Sequence, residues 1–220
     1  MKKKVLITKS IEDAGELQHY AIQNQIELIY HSFLSFEQIQ ISEIPEVDVL
    51  FFSSKRAVDY LLKQQIVSAR VQVACIGSVT KHYLEDRGIL VDFVGSNSSR
   101  PQEVSKELYR WLNGRTCGLV TAEESQRTIA TYLDESLIYY ITPYRTVIHP
   151  DKLDSPMDVL VFTSPSNVKG YLHNNEIHHQ KVVAWGKTTE EFLLKNAIQN
   201  VYCLNNATEK EVISYLEKLF

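Results

Sequence analysis

The sequence predicts an α/β fold of two similar domains, each with a parallel sheet flanked by helices. Three observations predict it. Short runs of β-prone residues alternate with helix signals along the whole chain. The apolar run Val159-Leu160-Val161-Phe162 has no polar alternation and ends abruptly in Thr163-Ser164-Pro165-Ser166. A strand buried on both faces reads this way, and Ser164 before Pro165 reads as a helix N-cap and first helical position. The same element also occurs twice: residues 48–58 match residues 158–168 at an offset of 110 residues. Val73-Ala74-Cys75-Ile76-Gly77-Ser78-Val79-Thr80 likewise resembles Val183-Ala184-Trp185-Gly186-Lys187-Thr188-Thr189, and Asn97-Ser98-Ser99 corresponds to Asn206-Ala207-Thr208. Two copies make a duplicated domain rather than a solenoid. A strand that gives way to a helix N-terminus presents free backbone N–H groups at the sheet's carboxyl end, where open α/β sheets bind anions.

In chain order, residues 4–8 form a first strand. Residues 11–23 read as a helix capped by Ser10, with Leu17, Tyr20 and Ala21 on one face. Residues 27–33 are a second strand, and 36–46 are polar with spaced apolar positions up to Pro45. After the first copy of the motif come a short helix through 58–62, a strand over 71–76 and a helix over 81–87 that stops at Gly88. A strand over 90–94 and a loop over 95–100 lead to an amphipathic helix over 101–112 that starts with Pro and ends at the turn Asn113-Gly114. Residues 117–121 are a strand, and 122–125 turn into a helix carrying Ile129 and Leu133. Residues 137–148 are β-prone apart from Pro143, and 150–156 are a polar connector into the second copy.

Composition excludes several classes. Apolar residues make up 44% of the 220 positions, enough for a core. With 23 basic against 27 acidic residues the net charge is −4, so a general nucleic-acid surface is not expected. Met1-Lys2-Lys3-Lys4 runs directly into a strand and does not read as a secretion signal, and no apolar run is long enough to span a membrane. The three cysteines, Cys75, Cys117 and Cys203, are far apart and odd in number. They read as small buried residues in a reducing, cytoplasmic compartment. His173, His178 and His179 do not complete a metal site, because adjacent histidines on an extended loop point apart and no Cys or paired carboxylate joins them. Glu123-Glu124 reads as acids at a helix N-terminus. No G-x-G-x-x-G or Walker A run is present, so no nucleotide cofactor is expected.

Two domain divisions fit the duplication. One places a domain in each half, 1–112 and 113–220. The other uses the long extended stretches 27–36 and 137–150 as paired linkers, so that one domain combines both chain ends and the middle forms the second.

Taken together, Phe162-Thr163-Ser164-Pro165-Ser166-Asn167-Val168, then Gly186-Lys187-Thr188-Thr189 one strand later, then Phe192-Leu193-Leu194, resemble the uroporphyrinogen-III synthase family. Ile141-Thr142-Pro143-Tyr144-Arg145-Thr146-Val147 is similar to that family's tyrosine-bearing segment, and the first copies at 52–58 and 76–80 fit as well. The chain departs from the family at Trp185 and Lys187, where an aliphatic residue and Pro are usual, and at Ala197, where Gly usually ends the helix.

The resemblance implies the second division: one domain over 1–34 plus 149–220, another over 37–143, and a two-stranded linker near 35–36 and 144–148, with the active site in the cleft. It implies cyclisation of hydroxymethylbilane to uroporphyrinogen III with inversion of ring D and loss of water, and no cofactor. The pyrrole itself expels the hydroxyl. The azafulvene is then attacked at the substituted carbon of the last ring, and the spiro intermediate fragments and recloses reversed. Because the free substrate closes to the wrong isomer, the protein's task is positioning and help for the departing hydroxyl.

The substrate implied is a linear tetrapyrrole with eight carboxylates, so an acidic protein has to bind it through local donors. The expected binding residues are Ser53, Ser54, Lys55, Ser78, Thr80, Arg127, Ser164, Ser166, Lys187, Thr188 and Thr189, at or near predicted turns; Arg56, Arg100 and Arg145 are further cations there. For each hydroxyl the competing reading is plain helix capping. Tyr144 is the expected general acid, since a phenol stays protonated at neutral pH; the competing reading is hinge packing. A monomer with no nucleic-acid or membrane partner is expected, touching at most the enzyme that makes hydroxymethylbilane. The alternatives to catalysis are a two-lobed tetrapyrrole or polycarboxylate sensor, or a family member that has lost activity.

Overall fold

The computed structural model describes residues 2–10, 15–98, 100–125 and 127–220. Its order is β1 (Lys4–Ile7), α1 (Glu16–Gln23), β2 (Glu27–Tyr30), β3 (Leu34–Gln38), β4 (Val49–Phe52), α2 (Lys55–Leu62), β5 (Gln72–Cys75), α3 (Ser78–Glu85), β6 (Phe93–Val94), α4 (Pro101–Leu112), β7 (Cys117–Ala122), β8 (Ile138–Ile148), β9 (Val159–Phe162), α5 (Pro165–Asn174), β10 (Lys181–Ala184), α6 (Lys187–Lys195), β11 (Val201–Cys203) and α7 (Glu209–Leu219). Backbone contacts divide the chain into Met1–Ser35 with Val147–Phe220, here unit 1, and Phe36–Thr146, unit 2. The chain therefore crosses from unit to unit twice.

Unit 1 has strand order β11-β10-β9-β1-β2, and every neighbouring pair is parallel. Its central strands are buried on both faces, as a parallel sheet between helix layers requires. Alternate residues serve opposite faces. Val5, Ile7, Val159 and Val161 pack with Leu17 and Ala21 of α1 and with Val212 and Leu216 of α7. Leu6, Leu160 and Phe162 pack with Val168 of α5 and Leu193 of α6. Each fully buried Val, Leu, Ile or Phe among them contributes about 1.5–3 kcal/mol of transfer free energy.

Unit 2 has order β3-β8-β7-β4-β5-β6. The β8-β7-β4-β5-β6 neighbours are parallel. Leu50 and Phe52 face Ala57, Val58 and Leu61 of α2 and Leu84 of α3. Val49 and Phe51 face Val104, Leu108 and Leu112 of α4. The crossing segments are hydrogen-bonded within each unit. Ile39 N–H donates to Pro143 O in unit 2, and His149 N–H donates to Phe33 O in unit 1.

Several expectations are corrected. The first helix starts at Glu16 behind an N-cap at Gly15, which makes no side-chain cap, so Ser10 is not its cap; residues 11–14 of the expected helix lie outside the described residues, as does Ser99 of the repeat. The strand over 90–94 shrinks to two residues. No α-helix carries Ile129 and Leu133: among its described residues the segment holds 3₁₀ turns at Thr128–Ala130 and Glu135–Leu137. Arg127 is left-handed there, and buried Ser105 of α4 accepts the Tyr132 N–H that a helix would have paired internally. Glu123 and Glu124 thus do not open a helix; Glu124 accepts the Thr146 N–H at 2.8 Å. Cys75 and Cys117 are buried, whereas Cys203 on β11 is only partly so.

Candidate functional site

In unit 1, β9 and β10 are neighbours, so α5 and α6 begin side by side at one carboxyl edge. Their entries differ. Ser164 caps α5, its Oγ accepting the Asn167 N–H at 3.2 Å. Gly186 precedes α6 with no side-chain cap, and a Cβ added there would meet nothing within 4 Å. Exposed Ser166 and Thr188 occupy the second positions of α5 and α6, while Thr189 is buried. Lys187 is not a free cation: its ammonium lies 2.5 Å from Glu190, whose hydrogen bond and charge push the lysine pKa up.

The same edge holds groups that sequence reading missed. Thr163 Oγ1 donates to Thr8 O at 2.6 Å, and Thr8 Oγ1 accepts the Thr163 N–H, locking β1 to β9 where both strands end. Lys9 pairs with Glu209 at 2.6 Å, both largely buried, and its ammonium lies 5.5 Å from the Trp185 ring centre. Glu209 also accepts the Leu17 N–H, and Tyr30, near that carboxylate, has its phenol pushed up to about 12 by burial and by the Glu209 charge. No local motif links positions 9 and 209, so only the folded sheet reveals the pair.

In unit 2, β4 and β5 are likewise neighbours, and α2 and α3 begin at one carboxyl edge. Ser54 caps α2, accepting the Ala57 N–H at 3.1 Å, and Ser53 Oγ donates to Val120 O. Gly77 precedes α3 with no side-chain cap, as Gly186 does in the other unit. Ser78 is exposed and Thr80 buried. Exposed Lys55 lies 5.7 Å from the Tyr83 ring centre, and Arg56 lies 3.4 Å from that of Phe36. Arg127 immediately precedes the 3₁₀ turn at Thr128–Ala130, its guanidinium 4.2 Å from the Tyr140 ring centre. Arg100 and Arg145 pair with Glu103 and Glu37.

Tyr144 is on β8 beside a register shift between Val120 and Ala122, and its carbonyl accepts the Glu123 N–H. It is only 5% exposed. Its ring stacks on Tyr60 at 5.1 Å and meets Phe36 edge-on at 6.2 Å. The structure therefore gathers Ser53, Ser54, Lys55, Ser78 and Thr80 on one edge and Ser164, Ser166, Lys187, Thr188 and Thr189 on the other. Ser54 and Ser164 are taken up in capping, Thr80 and Thr189 in the core, and Tyr144 in an aromatic cluster. What each edge offers an anion is the first turn of a helix that has no side-chain cap of its own.

A family model described as uroporphyrinogen-III synthase HemD matches residues 22–214. Among curated proteins, no sequence matches. The crystal structure of uroporphyrinogen-III synthetase from Helicobacter pylori is similar with a TM-score of 0.75 and 18% identity over 100% of both chains. That of a mutant uroporphyrinogen III synthase from the extremely thermophilic bacterium Thermus thermophilus is similar with a TM-score of 0.60 and 14% identity over 98% of each chain. At those identities the likeness speaks to the fold. No helix among the described residues is long and apolar enough to cross a membrane.

Proposed function

Because this chain belongs to the uroporphyrinogen-III synthase family, a family of cyclising lyases in haem biosynthesis, we propose that it handles its tetrapyrrole at the carboxyl edges of β4/β5 and β9/β10. The reaction closes hydroxymethylbilane to uroporphyrinogen III, reversing ring D and releasing water. The observation that carries the proposal is the paired helix entry: in each unit a serine-capped helix starts beside one whose N-cap is a bare glycine, Gly77 or Gly186. An N-terminus without a side-chain cap has N–H groups to give and carries about half a positive charge. That suits carboxylates on a chain of net charge −4, because the donors are backbone and add no mobile cation. Exposed Ser78, Ser166 and Thr188 add hydroxyl donors, and Lys55 and Arg127 add charge.

Tyr144 is the proposed donor of the proton that leaves with the substrate hydroxyl as water: the C–O bond breaks, the pyrrole supplies the electrons, and an azafulvenium cation remains beside the tyrosinate. Stacking on Tyr60 and edge-on contact with Phe36 hold the phenol in one orientation, which favours a fixed donor over a mobile one. The chain acts as two domains, 1–34 plus 149–220 and 37–143. The enzyme works as a cytoplasmic monomer and meets the enzyme that supplies its short-lived substrate only transiently.

Thr188→Asp separates binding from folding. An acid in the first turn of α6 stabilises the helix by about 0.3–1 kcal/mol, yet repels a substrate carboxylate. The expected result is unchanged or higher thermal stability with KM raised roughly tenfold, about 1.4 kcal/mol. An unchanged KM would remove the α6 turn from the site.

A further inference from the structure

Asn167 joins two parts of unit 1 that are 134 residues apart. It is 3% exposed, a buried amide on a helix. Its Oδ1 accepts the Phe33 N–H at 2.9 Å, and its Nδ2 donates to Thr163 Oγ1 at 3.3 Å and to Ser164 Oγ at 3.1 Å. Phe33 lies on the first crossing segment, and its carbonyl accepts the His149 N–H from the returning one. Thr163 and Ser164 form the turn that opens α5. One side chain therefore bonds the crossing and the turn at once. A satisfied buried amide holds such a geometry firmly, because each unpaired group would cost about 1–3 kcal/mol.

Gly170, one helical turn further on, makes the same junction tight. A Cβ there would lie 2.5 Å from Phe33 Cβ and 3.2 Å from both Phe33 O and Ile148 Cγ2. A glycine inside a helix costs about 1 kcal/mol relative to alanine; here its absent side chain admits both crossing segments against α5. The duplicate helix shows that the motif does not demand either residue. At the same offset, position 57 is Ala and position 60 is Tyr. There Tyr60 holds its unit's crossing segments from mid-helix, donating its hydroxyl to Phe36 O at 2.9 Å and stacking on Tyr144. Ala57 has no side-chain amide to reach back to the turn.

We propose that Asn167 is a positioning residue that ties the β9–α5 turn to the crossing segment at Phe33, so that displacement of that segment is passed to the turn and moves exposed Ser166, the hydroxyl donor in the first turn of α5, relative to a bound carboxylate. The inference rests on the reading of this turn as part of a carboxylate-binding edge. Wild type, Asn167→Ala, Gly170→Ala and the double variant are compared for binding of uroporphyrin III as the octacarboxylate probe, for KM and kcat of type III product formation, and for thermal unfolding.

Each single variant is expected to weaken probe binding and raise KM about tenfold, with kcat within about twofold. The double variant is expected to be no worse than the poorer single one, because the displacement forced by Gly170→Ala reaches the turn through Asn167. A purely structural role would lower the unfolding temperature and leave KM and probe affinity in place, or let the two losses multiply; either result overturns the proposal. If Asn167→Ala does not fold, unchanged probe binding by Gly170→Ala overturns it alone, as does a wild-type chain that does not bind the probe. Type III product with unmoved variant affinities overturns this inference and leaves the functional reading standing. Non-multiplying losses of probe affinity in a chain that makes only type I product support the coupling and sink the functional reading.

Discussion

At Ala197 the backbone turns left-handed, with φ +61°, just past the C-cap of α6 at Asn196. A Cβ in that region costs about 1 kcal/mol that glycine avoids. Ala197→Gly is expected to raise stability by about 0.5–1 kcal/mol and leave turnover unchanged, read from urea unfolding and the enzyme assay; a loss of stability would contradict the strain. Tyr144 carries the opposite kind of prediction. Tyr144→Phe keeps the ring that stacks on Tyr60 and meets Phe36 edge-on, so folding should be unaffected. If the hydroxyl donates the proton, kcat falls on the order of a hundredfold or more; wild-type turnover in the folded variant would leave Tyr144 a packing residue only. The serines show how far residue type can be read. Ser54 and Ser164 lie at the predicted strand ends, but as caps, so their hydroxyls answer to their own helices.

Among the elements, α1 and α7 share one carboxylate. Glu209, in the first turn of α7, accepts the Leu17 N–H of α1 and pairs with Lys9 beyond β1. Burial pushes its carboxyl up, but the Leu17 N–H, the Lys9 hydrogen bond and charge, and the Gly15 N–H outweigh that and hold it below the usual glutamate range. A carboxylate lowered on folding contributes stability above its unfolded pKa and loses it as pH falls through the folded value. Glu209→Gln is therefore expected to be less stable than wild type at pH 7, with the gap closing under acid unfolding below the usual glutamate pKa. A gap independent of pH would mean that the carboxylate charge does not matter. The elements also show what local sequence can signal. α4 was legible throughout, from Pro101 at its start to left-handed Asn113 and Gly114 at its end. The apolar spacing of Ile129 and Leu133 imitated a helix face, and both residues are buried against α4. What decided their backbone was Ser105 taking the Tyr132 N–H, a tertiary bond that periodicity does not register.

At the scale of the molecule the duplication explains why two edges look alike. Copies of one strand–turn–helix unit, 110 residues apart, place a serine-capped helix beside a glycine-entered one in each unit. That much of the candidate site was legible, because parallel strands and helix starts are local patterns. The Thr8–Thr163 lock and the Lys9–Glu209 pair were not, since β1 reaches β9 only through pairing across some 150 residues. Family membership supplies the reaction, and the protein's contribution to it is control of which ring closure occurs. The most direct test is the isomer composition of the product when hydroxymethylbilane is generated in situ with this protein present and the porphyrinogens are oxidised and separated. A dominant type III isomer is predicted; type I alone from demonstrably folded protein would contradict the account.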